Sequence, residues 1–177
     1  MLPADVETFS PKEAIMYKPV LFLHLFFGFL YLLSHGTSAT VAYRLRHESS
    51  RERIRALLDL SGSSFTLMYI TLLAMLLGGI TLGFLGRWWS FGWLWTALIL
   101  LIAILVVMGL IASPHFHRVR KAAGLPYLDG YKEHPPVEPA SPEELAHLLQ
   151  SGRPHLITLI GIGGWGVILG LMIFKPF

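Results

Sequence analysis

The chain has 177 residues, 54% of them hydrophobic and only 14% charged, with a mean hydropathy of +0.59. Soluble domains carry about 25% charged residues, so this composition excludes a surface that lies wholly in water. A formal charge of +3 without any cysteine excludes disulfides, thiolate metal sites, covalent c-type haem and cysteine nucleophiles. The basic residues stand beside apolar runs and not among base-stacking aromatics, so nucleic acid is not an expected partner.

Residues 1–18 lack the basic start and early apolar core of a signal peptide. Ser10-Pro11-Lys12-Glu13 has the pattern of a capping box with proline at the first helical position. It predicts a short surface helix carrying Ala14, Ile15 and Met16, after which Pro19 turns the chain into the membrane. A bilayer-crossing helix needs roughly 20 mostly apolar residues. Four stretches qualify, at about 20–43, 64–85, 90–112 and 156–174.

The first span is bulky in its first half and small and polar in its second. Ser34, Ser38 and Ala42 recur every four residues and make one ridge where another helix can approach closely. Arg44, Arg46, Arg51, Arg53 and Arg55 follow, which places loop 44–63 in the cytoplasm. Ser49, Ser50 and Glu52 predict the start of a short amphipathic helix that lays Ile54, Leu57, Leu58 and Leu60 on the interface. In the second span Gly79 and Gly83 form a GxxxG pair. Only Gly86-Arg87-Trp88-Trp89 separates it from the third, so the two spans form an antiparallel hairpin, with Trp88, Trp89, Trp93 and Trp95 as an outer aromatic belt.

The third span has almost no polar face and is expected to be the most lipid-exposed, ending at Ser113-Pro114. Loop 113–155 carries Arg118, Arg120, Lys121, Lys132 and Arg153 and is likewise placed in the cytoplasm. Its middle, 125–142, is expected to be irregular. Ser141-Pro142-Glu143-Glu144 then opens a helix with Leu145, Leu148 and Leu149 on one face and Gly152 as its stop. In the fourth span, residues 161–166 match G-x-G-x-x-G by letter, but no strand precedes them and no acidic residue follows, so no dinucleotide is implied. Gly166 and Gly170 form a second GxxxG pair. The expected fold is a single all-α domain over 1–177. It is a four-transmembrane-helix bundle with short interfacial amphipathic helices and both termini outside.

No Asp, Glu, Lys or Arg lies within the four spans, which weighs against an ion-coupled pump or a charged-ring channel. His24 and His35 remain. They are 11 residues apart, hence only about 20° apart in azimuth and roughly 16 Å apart along the axis. Two histidines on one face with Gly28 between them suggest ligands for haem b. No second histidine lies level with His24 on another span, although Met172 does as a weak axial candidate. A haem therefore calls for a ligand from a partner chain. The simpler expectation is that both histidines donate hydrogen bonds to neighbouring helices. His115 and His117 are candidate metal ligands, with His47 or His155 on the same side.

The segments HLFFGFLYLLSHGTSATVAYRLR, RERIRALLDLS and WGVILGLMIFKPF resemble a bacterial family of predicted four-span integral membrane proteins of unknown function. That group is distantly similar to the CopD-type copper-resistance membrane proteins. The resemblance implies a fold and a location and carries over no activity; its CopD side implies copper. Together these readings predict a non-catalytic protein of the bacterial inner membrane. Its expected role is an accessory or structural subunit whose partners are the lipid bilayer and other membrane subunits or further copies of itself. The alternative is a haem b or metal binder using His24 and His35, and a third is a lipid- or pigment-contacting scaffold.

Overall fold

Hydrocarbon offers no hydrogen-bond partner to a backbone N–H or C=O, so an apolar run that crosses it is driven to close its own bonds as a helix. The computed structural model describes residues 11–177 and is an all-α bundle of four long apolar helices. Helix α1 spans Pro11–Leu45, α2 Arg51–Leu85 and α3 Gly92–Ala123. After two three-residue strands, β1 (Tyr127–Asp129) and β2 (Lys132–His134), comes α4, Pro142–Ser151. The fourth crossing runs without a break through α5 (Pro154–Thr158), a π-helical turn (Leu159–Gly163) and α6 (Gly164–Phe174).

Three helices are longer than expected. At 1.5 Å per residue the 35 residues of α2 reach about 52 Å, against a hydrocarbon core of about 30 Å. The predicted interfacial helix at 49–60 is in fact the first part of α2. Ser63 and Ser64 donate back to the carbonyls of Asp59 and Leu60, so their hydroxyls are satisfied inside the continuous helix. Likewise α1 runs through Pro19 and α3 through Pro114. Each proline removes one ladder bond, but leaving the helix at membrane depth would expose several more backbone groups. The expected cap at Ser10 lies outside the described residues.

At the arginine-rich end the overhanging helices build a second core. Val41, Leu45, Ile54, Leu58, Val119 and Ala123 bury together with Leu145 and Leu149 of α4. Helix α4 starts as its capping pattern predicts, with Ser141 Oγ accepting from Glu144 N, and stops at Gly152. The arginines at this end bond loop and helix-end carbonyls. Arg51 donates to Ala140 O at 2.6 Å and Arg55 to Ala123 O at 2.7 Å. Arg120 reaches Pro126 O, Leu58 O and the Asp59 carboxylate. The Arg55 guanidinium on the last carbonyl of α3 also opposes that helix's negative dipole end. The stretch expected to be irregular contains the antiparallel β1–β2 hairpin, Tyr127 facing His134 and Asp129 facing Lys132 around Gly130 at φ 60°.

Within the membrane the helices form two pairs. Helices α1 and α2 pack most extensively on each other, and α6 packs chiefly on α3. Helices α2 and α3 are sequence neighbours, joined through left-handed Arg87 and a 3-10 turn at Trp88–Ser90, yet they touch only sparsely. A core at mid-depth, including Tyr31, Met68, Leu72, Leu101, Ile104 and Ile168, joins the pairs. The least buried crossing is the fourth and not the third: 11% of its apolar window is buried, against 22% for α3.

Candidate functional site

Where the two pairs diverge, toward the tryptophan-rich end, they enclose a cavity of about 360 Å³, within the roughly 300–1,000 Å³ range of small-molecule sites. Helix α1 contributes Tyr17, Leu21, His24, Gly28 and Leu32 to its wall, and α2 contributes Met75, Gly79 and Leu82. Helix α3 adds Trp93, Ala97 and Leu101, while α6 adds Trp165, Ile168, Met172 and, just beyond its end, Lys175. Trp88 and Trp89 close it from the interhelical turn.

His24 is held rigidly on that wall. It is 9% exposed, and its Nδ1 lies 2.8 Å from the Met75 carbonyl oxygen. A carbonyl can only accept, so Nδ1 carries a proton, and in the neutral ring the lone pair is on Nε2. The ring fits because α2 has no side chain there. A Cβ on Gly79 would come within 3.0 Å of His24 Cε1, and one on Gly78 within 3.2 Å of His24 Cβ. One turn further along the same ridge, Gly83 admits the Trp89 indole, 3.2 Å from where its Cβ would be. The Gly79–Gly83 pair thus makes room for two rings.

The wide end is an aromatic collar. Tyr17 meets Trp88 edge-on at 6.3 Å, and Trp88 and Trp93 are 5.5 Å apart. The Lys175 ammonium sits over both indoles, 3.8 Å from the Trp88 centroid and 5.4 Å from that of Trp93, a cation–π arrangement. Phe177 O accepts from Trp93 N at 3.1 Å, tying the chain's last residue to the start of α3. Trp89 Nε1 is buried without a hydrogen-bond partner; the same holds, among the described residues, for His35 Nε2 and Thr158 Oγ1.

The structure separates His35 from this cavity. Its ring is 6% exposed, lies parallel to Tyr31 at 6.2 Å and presses against Gly161, so its Nε2 edge faces helix backbone. His115 and His117 also diverge. Helix α3 continues through them, which sets residues two apart on opposite flanks. His115 faces Gly152, while His117 Nδ1 accepts from Leu128 N at 3.2 Å. His155 is instead hydrogen-bonded to the Tyr43 hydroxyl at 3.0 Å. No three His, Asp or Glu residues converge among the described residues.

Of the small-residue ridge on α1, Ser34 is buried and donates to Leu30 O, and Ser38 accepts from Ser61 of α2 at 3.5 Å. Ala42 is half-buried. Gly166 and Gly170 differ: nothing lies within 4 Å of a Cβ built on either. The cavity and its collar were not legible as a site in the sequence. The signal available was the coincidence of His24, the belt tryptophans and Met172 at one depth.

No family model, curated protein or solved structure matches this chain. The resemblance drawn on its short apolar segments therefore assigns no family, and what stands is a four-span membrane protein.

Proposed function

We propose that this protein is a non-catalytic accessory or structural subunit of a larger assembly in a bacterial inner membrane, with its arginine-rich loops in the cytoplasm. The observation that carries the reading is the contrast between the two glycine pairs. Gly79 and Gly83 are covered within the chain by His24 and Trp89, whereas Gly166 and Gly170 face open space on the least buried crossing. A GxxxG face lets a second helix approach to backbone distance. The polar side chains support the same reading, because many close bonds within the chain. Thr37, Thr40, Thr81 and Thr96 return to carbonyls four residues back, Arg51 and Arg120 latch loop carbonyls, and Arg55 latches the last carbonyl of α3. The arginine clusters support the orientation.

The test is gentle solubilisation followed by native separation. The intact chain is expected to migrate with other proteins, and Gly166→Leu and Gly170→Leu variants to dissociate from them while keeping their helicity. A wild-type chain that runs alone, as monomer or homodimer, overturns the reading.

A second reading, haem b bound at His24, draws on the Nδ1 bond to Met75 O, which leaves Nε2 as the lone-pair nitrogen, and on Met172 in the same wall. A Soret band lost in His24→Ala would support it, and a colourless preparation ends it.

A further inference from the structure

The cavity is long and narrow in a particular direction. Along α1 its wall runs from Tyr17 to Leu32, about 22 Å at 1.5 Å per residue. Along the fourth crossing it runs from Trp165 to Lys175, about 15 Å on the same measure. Half of a 30 Å hydrocarbon core is about 15 Å, so the space is as deep as one leaflet. Its deep end is walled by Leu101, Ile168 and Trp165, and its wide end by belt tryptophans and the Lys175 ammonium. This polarity, apolar at mid-depth and amphipathic at the interface, is that of a single lipid chain standing upright in one leaflet.

We propose that the cavity between the α1–α2 and α3–α6 pairs binds one acyl chain of a membrane amphiphile, with the oxygen-bearing head at the Trp88–Trp89–Trp93 collar. The proposal is independent of the accessory-subunit reading. Two further observations support it. Trp89 Nε1 is a buried donor without an acceptor, a state that costs free energy unless an oxygen is supplied. The nitrogen lies against Gly83 of α2, so an ester or carboxylate oxygen at the collar would satisfy it once the indole turns toward the cavity it lines. Gly28 stands in the wall, and the atoms nearest its Cβ position belong to Met75 and the Trp165 ring, both at 3.5 Å. A larger side chain there would press on both residues, which also line the cavity, and narrow it.

A free fatty acid and one chain of a phospholipid share this chemistry. The experiment titrates the detergent-solubilised full chain with dibromostearic acid in one arm and with a phosphatidylcholine carrying a brominated chain in the other, and reads tryptophan fluorescence. Four of the five tryptophans, Trp88, Trp89, Trp93 and Trp165, line the cavity, so an occupant quenches them. Saturable quenching at one equivalent is expected in at least one arm, and the arm that saturates identifies the source. Gly28→Leu on α1 and Leu98→Phe on α3, both in the cavity wall, are expected to weaken binding at least tenfold. Gly109→Leu, where a side chain meets open space, should leave it unchanged. Helicity and thermal midpoint, measured on each variant, separate lost binding from lost folding. Quenching that is linear in both arms and equal in all variants reports bulk lipid contact only and overturns the proposal. A haem-loaded preparation would overturn it too, because the ring and the chain compete for one space.

Discussion

The ring edge of His35 on α1 fills the place beside Gly161 where any other residue would carry its Cβ. The fourth crossing adopts π geometry over the five residues that contain this glycine, Leu159–Gly163. A π turn widens the helix locally, and here it coincides with the deepest intrusion of a neighbouring ring. Gly161→Ala should therefore destabilise the bundle by about 1–3 kcal/mol, the usual cost of overpacking. Adding His35→Ala should recover part of the loss, because the clash needs both partners. Denaturant unfolding in detergent of the two single variants and the double variant would show it. Strictly additive losses would mean that the contact is not the cause.

The glycine pairs predict opposite responses to one methyl group. Gly79→Ala meets His24 at 3.0 Å and Gly83→Ala meets Trp89 at 3.2 Å, so both should lower the thermal midpoint. Gly166→Ala meets nothing and removes an unfavourable helix residue, a gain of up to about 1 kcal/mol. In the isolated chain it should be neutral or stabilising. A loss as large as that of Gly79→Ala would mean that the face is covered after all.

Arg120 and Asp59 form an ion pair at 3.1 Å, but their side chains are 14% and 60% exposed. An exposed pair is worth roughly 0–1 kcal/mol, so Asp59→Ala should be nearly silent. Arg120→Ala also strips donors from Leu58 O and Pro126 O and should cost about 1.5–3 kcal/mol, the range for bonds to a charged group. Equal effects would place the stabilisation in the ion pair and not in the carbonyl latch.

Glu48 precedes α2 and accepts from the backbone N–H groups of Ser50 and Ser49, both at 2.9 Å, with Arg53 at 3.0 Å. The Ser50 bond leads in holding its carboxyl below the ordinary value of 4.5. A depressed folded-state value means that the contribution to stability is fully present above pH 4.5 and fades as pH falls through the lower folded value. Glu48→Gln should therefore unfold more readily than wild type at neutral pH, and the gap should close on acidification. A gap that is constant with pH would show that the charge plays no part.

Much of the architecture follows from local pattern alone. Four apolar runs of sufficient length determine four crossings, since a single span in hydrocarbon closes its backbone bonds as a helix. The start of α4 at Ser141 was equally legible, because a cap is a contact between residues three apart. Helix ends were read less well. Local signals placed breaks at Pro19, at Pro114 and between an interfacial helix reaching Leu60 and a span starting near 64, and the helices run through all three, since neighbouring helices outweigh the local preference.

What only the tertiary structure decided is which small residues meet which rings. Periodicity marked His24 and His35 as one stripe, but it could not tell that one faces a cavity and the other the backbone of Gly161. Nor could it assign Gly79 and Gly83 to internal rings and leave Gly166 and Gly170 open. These outcomes depend on how α1–α2 and α3–α6 pair and how far the pairs diverge. Apolar helices of similar composition attract one another almost equally in lipid, so the choice rests on side-chain shape fitted across tens of residues of sequence separation. His24 and the belt tryptophans were visible from the start; the space between them exists only once the helices are packed.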